Sequence, residues 1–338
     1  MTRPDRVNDR AASLERRKVP MLSFGRAGLA QSALAALAVF AYAPDKPRAE
    51  LEAVYPGDYR MVDGVRLRLR DTGPRDASAV VLVHGFCASL DTWESWAAAL
   101  SARHRVIRFD LPGFGLTGPD PSGDYSDARE AEILRDLLDQ LGIANASLVG
   151  HSMGARIAWT FAALYPGRVA RLVLISPVGR EARDSADGVA APILLRAIPF
   201  VAPRMLLRAG LGAAYGREDA VNDTTVERYR DLLLAPGVRQ AIVARARRPT
   251  SRPPDLARIR APTLLLWGER DRIVPVATAA EFMRDLPRAS LVRLPNLGHV
   301  PFEEDPDGSL SPLEDFLSEP APAAAVAEGV RIAGQRPQ

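Results

Sequence analysis

Two residue types are scarce, and each scarcity excludes something. The 338-residue chain has one cysteine, Cys87. It can therefore build no disulfide framework and no cysteine-based metal site of its own. It has four histidines, His84, His104, His151 and His299, and no two share the H-x-x-x-H spacing of a helical metal site. No metal and no cofactor is expected. A basic excess is missing where nucleic-acid binding would need it. The chain carries +3 overall, but residues 1–43 hold seven Arg and Lys against three acids, which leaves about −1 for the body. No nucleic-acid partner is expected, and no oligomer signal is legible.

Residues 27–43, "AGLAQSALAALAVFAYA", are uncharged and follow Arg16-Arg17-Lys18 and Arg26. The stretch is at the lower length edge of a membrane-spanning helix. It also fits the apolar region of an export signal ending at Ala41-Tyr42-Ala43. Arg16-Arg17 raises a twin-arginine signal, which its neighbours match poorly. Pro44 disfavours cleavage directly after Ala43. The expectation is an uncleaved anchor, with the body outside the cytoplasmic membrane because the basic residues precede the apolar run. A cleaved signal is the alternative. Both place the protein in the cell envelope. Residues 319–338 are rich in Ala and Pro, with little to bury, and read as a disordered tail.

The body reads as strands alternating with helices. Residues 59–71 alternate apolar and polar around Asp63-Gly64, a hairpin signal. Continuous apolar runs at 79–85, 146–150, 169–176 and 262–269 suit strands buried on both faces of a parallel sheet. Residues 105–110 and 289–295 complete the strand set. Helical patterns cover 91–102 (Asp91 as cap), 126–142 (Ser126 as cap, Gly142 at the end), 153–165 and 277–286. Residues 178–258 carry helical patterns at 192–211, 224–234 and 237–248, with no clear strand. The expected architecture is an α/β, doubly wound, mostly parallel sheet with a helical lid inserted at 178–258 between core parts 55–177 and 259–318.

Polar clusters follow the strands: "HGFCAS", "DLPGFGLT", "GHSMG", "ERDRIVP" and "NLGHVPFEE". Carboxyl ends of parallel strands share one rim, where doubly wound sheets bind ligands. A serine (Ser152), a carboxylate (Asp271) and a histidine (His299) lie on that rim in this chain order. Ser152, between Gly150 and Gly154, either fills a tight turn or is presented by it. Glu269 competes with Asp271 as the acid. His104 falls before a strand's start, at the far rim, and His151 adjoins Ser152 and should point away from it. Asp110 reads as loop structure. Trp93, Trp96 and Trp159 fall on apolar helix faces and read as core. Cys87 reads as a small apolar filler.

With "HGF" at 84–86, "DLPGFGLT" at 110–117, "GHSMG" at 150–154, "WGERDRIVP" at 267–275 and "GHVPFEE" at 298–304, residues 55–318 resemble the α/β-hydrolase fold family. The resemblance implies Ser152 as nucleophile, His299 as general base and acid, and Asp271 as the carboxylate orienting His299. It implies an oxyanion hole from the amides of Phe86 and Met153. Gly85, Gly150 and Gly154 would support the loops, and His84 would have a structural hydrogen-bonding role. A serine nucleophile argues against haloalkane dehalogenases and epoxide hydrolases, and "HGF" is not the "HGGPG" of proline iminopeptidases. The expected activity is hydrolysis of carboxylic esters with apolar acyl or aryl groups, the roof being rich in apolar residues. The alternatives are a carbon–carbon bond hydrolase of ring-cleavage products, weakened by Val300 where those enzymes commonly have tryptophan, a cofactor-free haloperoxidase-like enzyme, and a non-catalytic binding protein of the same fold.

Overall fold

The computed structural model describes residues 43–179, 202–247, 254–319 and 330–332. A mostly parallel sheet runs through it. Its strands are β1 (Asp58–Val62), β2 (Val65–Thr72), β3 (Ala79–Val83), β4 (Arg105–Phe109), β5 (Ala146–His151), β6 (Val169–Ile175), β7 (Thr263–Gly268) and β8 (Ala289–Leu294), with a short ninth, β9 (Val330–Ile332), at the edge. The spatial order is β1-β2-β4-β3-β5-β6-β7-β8-β9. β2 is antiparallel to both β1 and β4, and the other neighbours are parallel. The β1–β2 hairpin turns on Asp63 and Gly64, at φ 44° and 80°. Two consecutive left-handed residues make the tight turn that matches strand twist.

β3, β5 and β7 are buried at every position, as strands covered on both faces must be. One face packs on α3 (Asp127–Gln140), α4 (Met153–Leu164) and α8 (Ala279–Asp285), with Trp159, Phe161 and Phe282 in the core. The other packs on α2 (Glu94–Leu100), α9 (Pro301–Glu304) and α10 (Pro306–Ser318), around Trp93, Trp96 and Phe302. The three tryptophans read as core are fully buried. Helix α3 begins where expected: the Ser126 side chain accepts from the Arg129 amide at 3.1 Å. It is closed by Gly142 at φ 68°.

Some elements differ from expectation. The helix expected over 91–102 is a 3-10 turn, Leu90–Trp93, followed by α2. Ser89, not Asp91, caps it, because the Asp91 carboxylate is taken by the two terminal guanidinium nitrogens of Arg68, Nη1 and Nη2, at 2.8 and 2.9 Å. The segment read as a disordered tail contains β9, whose backbone pairs with the free edge of β8. The rest of 320–338 lies outside the described residues. A short helix, α1 (Arg48–Val54), precedes the sheet. Its segment is fixed by the Lys46 amide donating to Leu234 O at 2.8 Å and by Lys46–Asp231 and Arg239–Asp45 ion pairs at 2.8 and 2.6 Å.

Between β6 and β7 the described residues hold α5 (Arg204–Ala214), a 3-10 turn at Glu218–Ala220, α6 (Asp223–Leu233) and α7 (Val238–Ala246), and no strand. The helix expected over 192–211 is described only from Arg204, after Pro203. Residues 180–201 and 248–253 lie outside the described residues, as do residues 1–42 and with them the expected anchor up to Tyr42. Among the described residues no helix is long and apolar enough to cross a membrane.

Candidate active site

The site begins at the turn between β5 and α4. Ser152 occupies it at φ 52°, ψ −116°, a conformation that costs a non-glycine residue about 1–3 kcal/mol. Its surroundings enforce the strain. The Ser152 amide donates to Ile175 O at 2.9 Å, and its carbonyl accepts from the Arg156 amide at 3.2 Å. A Cβ on Gly150 would lie 2.5 Å from Gly154 O, and one on Gly154 would lie 2.3 Å from His84 O. Both glycines are therefore required, and α4 starts in direct contact with the loop leaving β3.

That loop carries Phe86, whose ring packs edge-on against Phe114 at 5.6 Å, and Cys87 at φ 56°. The Phe86 and Met153 amides have no hydrogen-bond partner among the described residues. His84 is fully buried. Its Nδ1–H donates to Gly85 O at 2.8 Å, and its Nε2 accepts from the Leu111 amide at 2.9 Å. Burial lowers its pKa to about 4, so it is a neutral support for the loop. Burial also pushes the Cys87 thiol up to about 12, the opposite of an activated thiol.

Behind β7 and β8, His299 Nδ1–H donates to Asp271 Oδ2 at 2.8 Å. Asp271 Oδ1 accepts from the Ile273 and Val274 amides at 2.9 and 2.8 Å. The carboxylate is thus fixed on one oxygen and free to orient the ring with the other. The competitor Glu269 faces away and pairs with Arg293 at 3.1 Å. His299 Nε2 has no partner among the described residues, which leaves it available to a hydroxyl. Ser152, Asp271 and His299 are each buried to within a tenth of full burial.

Asp110 lies in the core, held by Arg68 at 3.1 Å and by the amides of Leu90 and Leu116, both at 2.7 Å. It is loop structure. His104 is bonded to Ser78, at the start of β4 and so at the far rim.

The loop of β8 repeats the close approach of the Ser152 turn. A Cβ on Gly298 would lie 2.2 Å from Gly216 N, and one on Gly268 would lie 2.1 Å from Gly298 O. Strand-to-helix order, the glycine-flanked serine at positive φ and the late histidine paired to an acid are those of one fold family. The chain belongs to the alpha/beta hydrolase fold family. The family match spans residues 78–306. Among its relatives is YugF of Bacillus subtilis, an uncharacterized hydrolase, 27% identical, covering 79% of this chain and 100% of that protein. Among solved structures, a membrane phospholipase A described as a bacterial virulence factor is 28% identical at TM-score 0.66, covering 86% of this chain and 96% of that one. An esterase from Thermogutta terrifontis is 26% identical at TM-score 0.67, covering 77% and 97%.

Three side chains at this hydrolase's site carry roles that the sequence did not suggest. His151 Nε2–H donates to His299 O at 2.8 Å. Glu303, next in line after Phe302, accepts from Thr92 Oγ1, from Tyr215 and Tyr229 hydroxyls and from Arg228 Nη2 at 2.6 Å. Glu304 accepts from the Gly298 amide at 2.9 Å, the Gly216 amide at 2.8 Å and the Arg217 amide at 3.2 Å. Burial raises the Glu304 carboxyl above its ordinary value, against the pull of those amides. Both glutamates stood in the "GHVPFEE" motif, as does Gly298, but their other partners lie 74 to 211 residues away along the chain, beyond any local pattern.

Proposed function

We infer that this hydrolase cleaves carboxylic esters of apolar acyl or aryl groups through an acyl-enzyme on Ser152. The observation that carries the reading is the His299–Asp271 pair at 2.8 Å, with Nε2 unengaged, on the rim that also holds a serine forced to φ 52°. A serine hydroxyl attacks only when a base takes its proton. His299 Nε2 takes it as Ser152 Oγ adds to the ester carbonyl. Asp271 keeps Nδ1 protonated and stabilises the imidazolium. The Phe86 and Met153 amides receive the oxyanion, each worth about 2.7–4 kcal/mol of barrier. His299 then protonates the departing alcohol, and activates water to release the acid. No step calls for a metal or an organic cofactor.

The named esterase and phospholipase among the structural relatives support ester chemistry. The segment between β6 and β7 acts in this reading as the lid that supplies the apolar acyl site. Residues 27–43 tether the protein to a membrane, with the site in the cell envelope; fractionation with and without residues 1–43 tests this, and a fully soluble, unprocessed long form rejects it. The decisive experiment is a fluorophosphonate probe followed by p-nitrophenyl esters of increasing acyl length. Labelling of the wild type that is lost in Ser152→Ala is expected. An unlabelled wild type, or labelling that survives Ser152→Ala, overturns the serine-hydrolase reading.

A further inference from the structure

Three chain segments meet at the backbone of His299. Its amide donates to Ala214 O at 2.7 Å, at the end of α5. Its carbonyl accepts from His151, the neighbour of Ser152. The residue before it, Gly298, runs against Gly216 so closely that neither could carry a Cβ without meeting the other's backbone nitrogen at 2.2–2.6 Å. The contact between the helical segment and the base is therefore main chain on main chain.

One side chain spans that contact. Glu304 Oε1 takes the Gly298 amide, and Oε2 takes the Gly216 and Arg217 amides. The residue is 7% exposed, and each oxygen is spent on a different segment. A buried carboxylate holding three amides is a rigid template, because an amide that leaves it is left unpaired away from water. Glu303 adds a second fastening beside it, to Tyr215, Arg228 and Tyr229. That fastening reaches the helical segment but no backbone group of residues 298–299. Of the two glutamates, Glu304 alone bonds to both sides.

We propose that Glu304 is a positioning residue for His299: its carboxylate locks the end of α5 to the residue before the base, so that the packing of the helical segment sets how well His299 addresses Ser152. The inference rests on the serine-hydrolase reading and deepens it. Substrate that rearranges the helical segment would shift the base through this lock, without any contact to the imidazole itself.

The test uses the full chain with Glu304→Gln, Gly216→Ala and the double variant. The side-chain amide introduced by Glu304→Gln opposes an N–H with an N–H, and the methyl introduced by Gly216→Ala wedges Gly298 away. Each is measured by fluorophosphonate titration of sites, by labelling rate per titrated site, and by kcat and KM on one p-nitrophenyl ester. The expected result is nearly one titratable site per chain, a labelling rate and a kcat each lowered about 10- to 100-fold, and KM within about twofold. The double variant should be no worse than the poorer single, since both act on one lock. A merely structural role predicts fewer titratable sites, each at wild-type rate. That result, or effects that multiply in the double variant, overturns the proposal. Glu304→Gln is nearly isosteric and decides alone if Gly216→Ala does not fold. A wild type that fails to label overturns the hydrolase reading and this inference with it; variants that keep wild-type rates beside a labelled wild type overturn this inference only.

Discussion

His151 Nε2–H donates a hydrogen bond to the carbonyl oxygen of His299 at 2.8 Å, and the two rings lie 4.7 Å apart. The neighbour of Ser152 thereby holds the backbone of His299. Its Nδ1 has no partner among the described residues, and a side chain on Gly85 would strike it at 2.7 Å. Burial first, and the adjacent His299 second, keep its pKa well below the ordinary histidine value. His151 is therefore held neutral, and the proposed reaction assigns it no proton transfer. His151→Ala should orphan the His299 carbonyl, costing about 1–3 kcal/mol of stability and lowering kcat per titrated site. His151→Gln, which can still donate, should restore part of both. Urea denaturation and ester turnover are the measurements.

The proposed acid, Asp271, is separable from its competitor Glu269. Asp271→Asn should leave the fold intact and lower kcat by about 10⁴, because the amide favours the wrong histidine tautomer. Glu269→Gln, which loses only the partly exposed Arg293 pair, should stay within about twofold of wild type, since such pairs contribute about 0–1 kcal/mol to stability. Steady-state kinetics on one ester decides it.

Glycines at the site and in the helical segment should respond in opposite directions. Gly154→Ala places a methyl 2.3 Å from His84 O and 2.4 Å from Val83 O. Overpacking against backbone should cost about 3 kcal/mol and abolish probe labelling. Gly212→Ala meets nothing within 4 Å and lies within α5. It should stabilise by up to about 1 kcal/mol, the helix-propensity difference. Denaturant midpoints give both values.

His84 makes stability depend on pH. Its two hydrogen bonds use the neutral ring, and its folded pKa is lowered to about 4 from 6.5. Below about pH 6.5 the unfolded chain binds a proton that the folded chain refuses, so stability is complete above that pH and is lost as pH falls towards about 4. The loss attributable to His84 is on the order of 3 kcal/mol. Urea midpoints at pH 7.5 and pH 5, compared between wild type and His84→Gln, should show a shallower pH dependence in the variant, from a lower starting stability.

Much of the rim was legible because each piece is local. Asp63-Gly64 must turn at positive φ, Ser126 reaches an amide three residues on, and Gly150 and Gly154 flank a serine within one turn. The Ser152, Asp271 and His299 assignments rest on order along the chain and on one sheet rim. What escaped was non-local or competitive. Ser89 displaced Asp91 as cap because Arg68, 23 residues away, claims the Asp91 carboxylate. Glu304 and His151 act on backbone atoms that only the folded chain brings near. Val330–Ile332 forms a strand because β8 offers an unpaired edge, a reason that lies in β8 rather than in the tripeptide.

The segment that precedes the sheet has a practical consequence. Lys46, Asp45 and Tyr55 reach Asp231, Leu234 and Arg239 of the helical segment, so residues 43–54 fold with it although the chain enters the sheet only at β1. A fragment cut at Tyr55, the boundary suggested by the strand pattern, would expose Ala202, Leu234 and the Arg239 cation. A fragment that keeps these contacts must begin upstream of Asp45, ahead of the boundary that the strand pattern alone suggests.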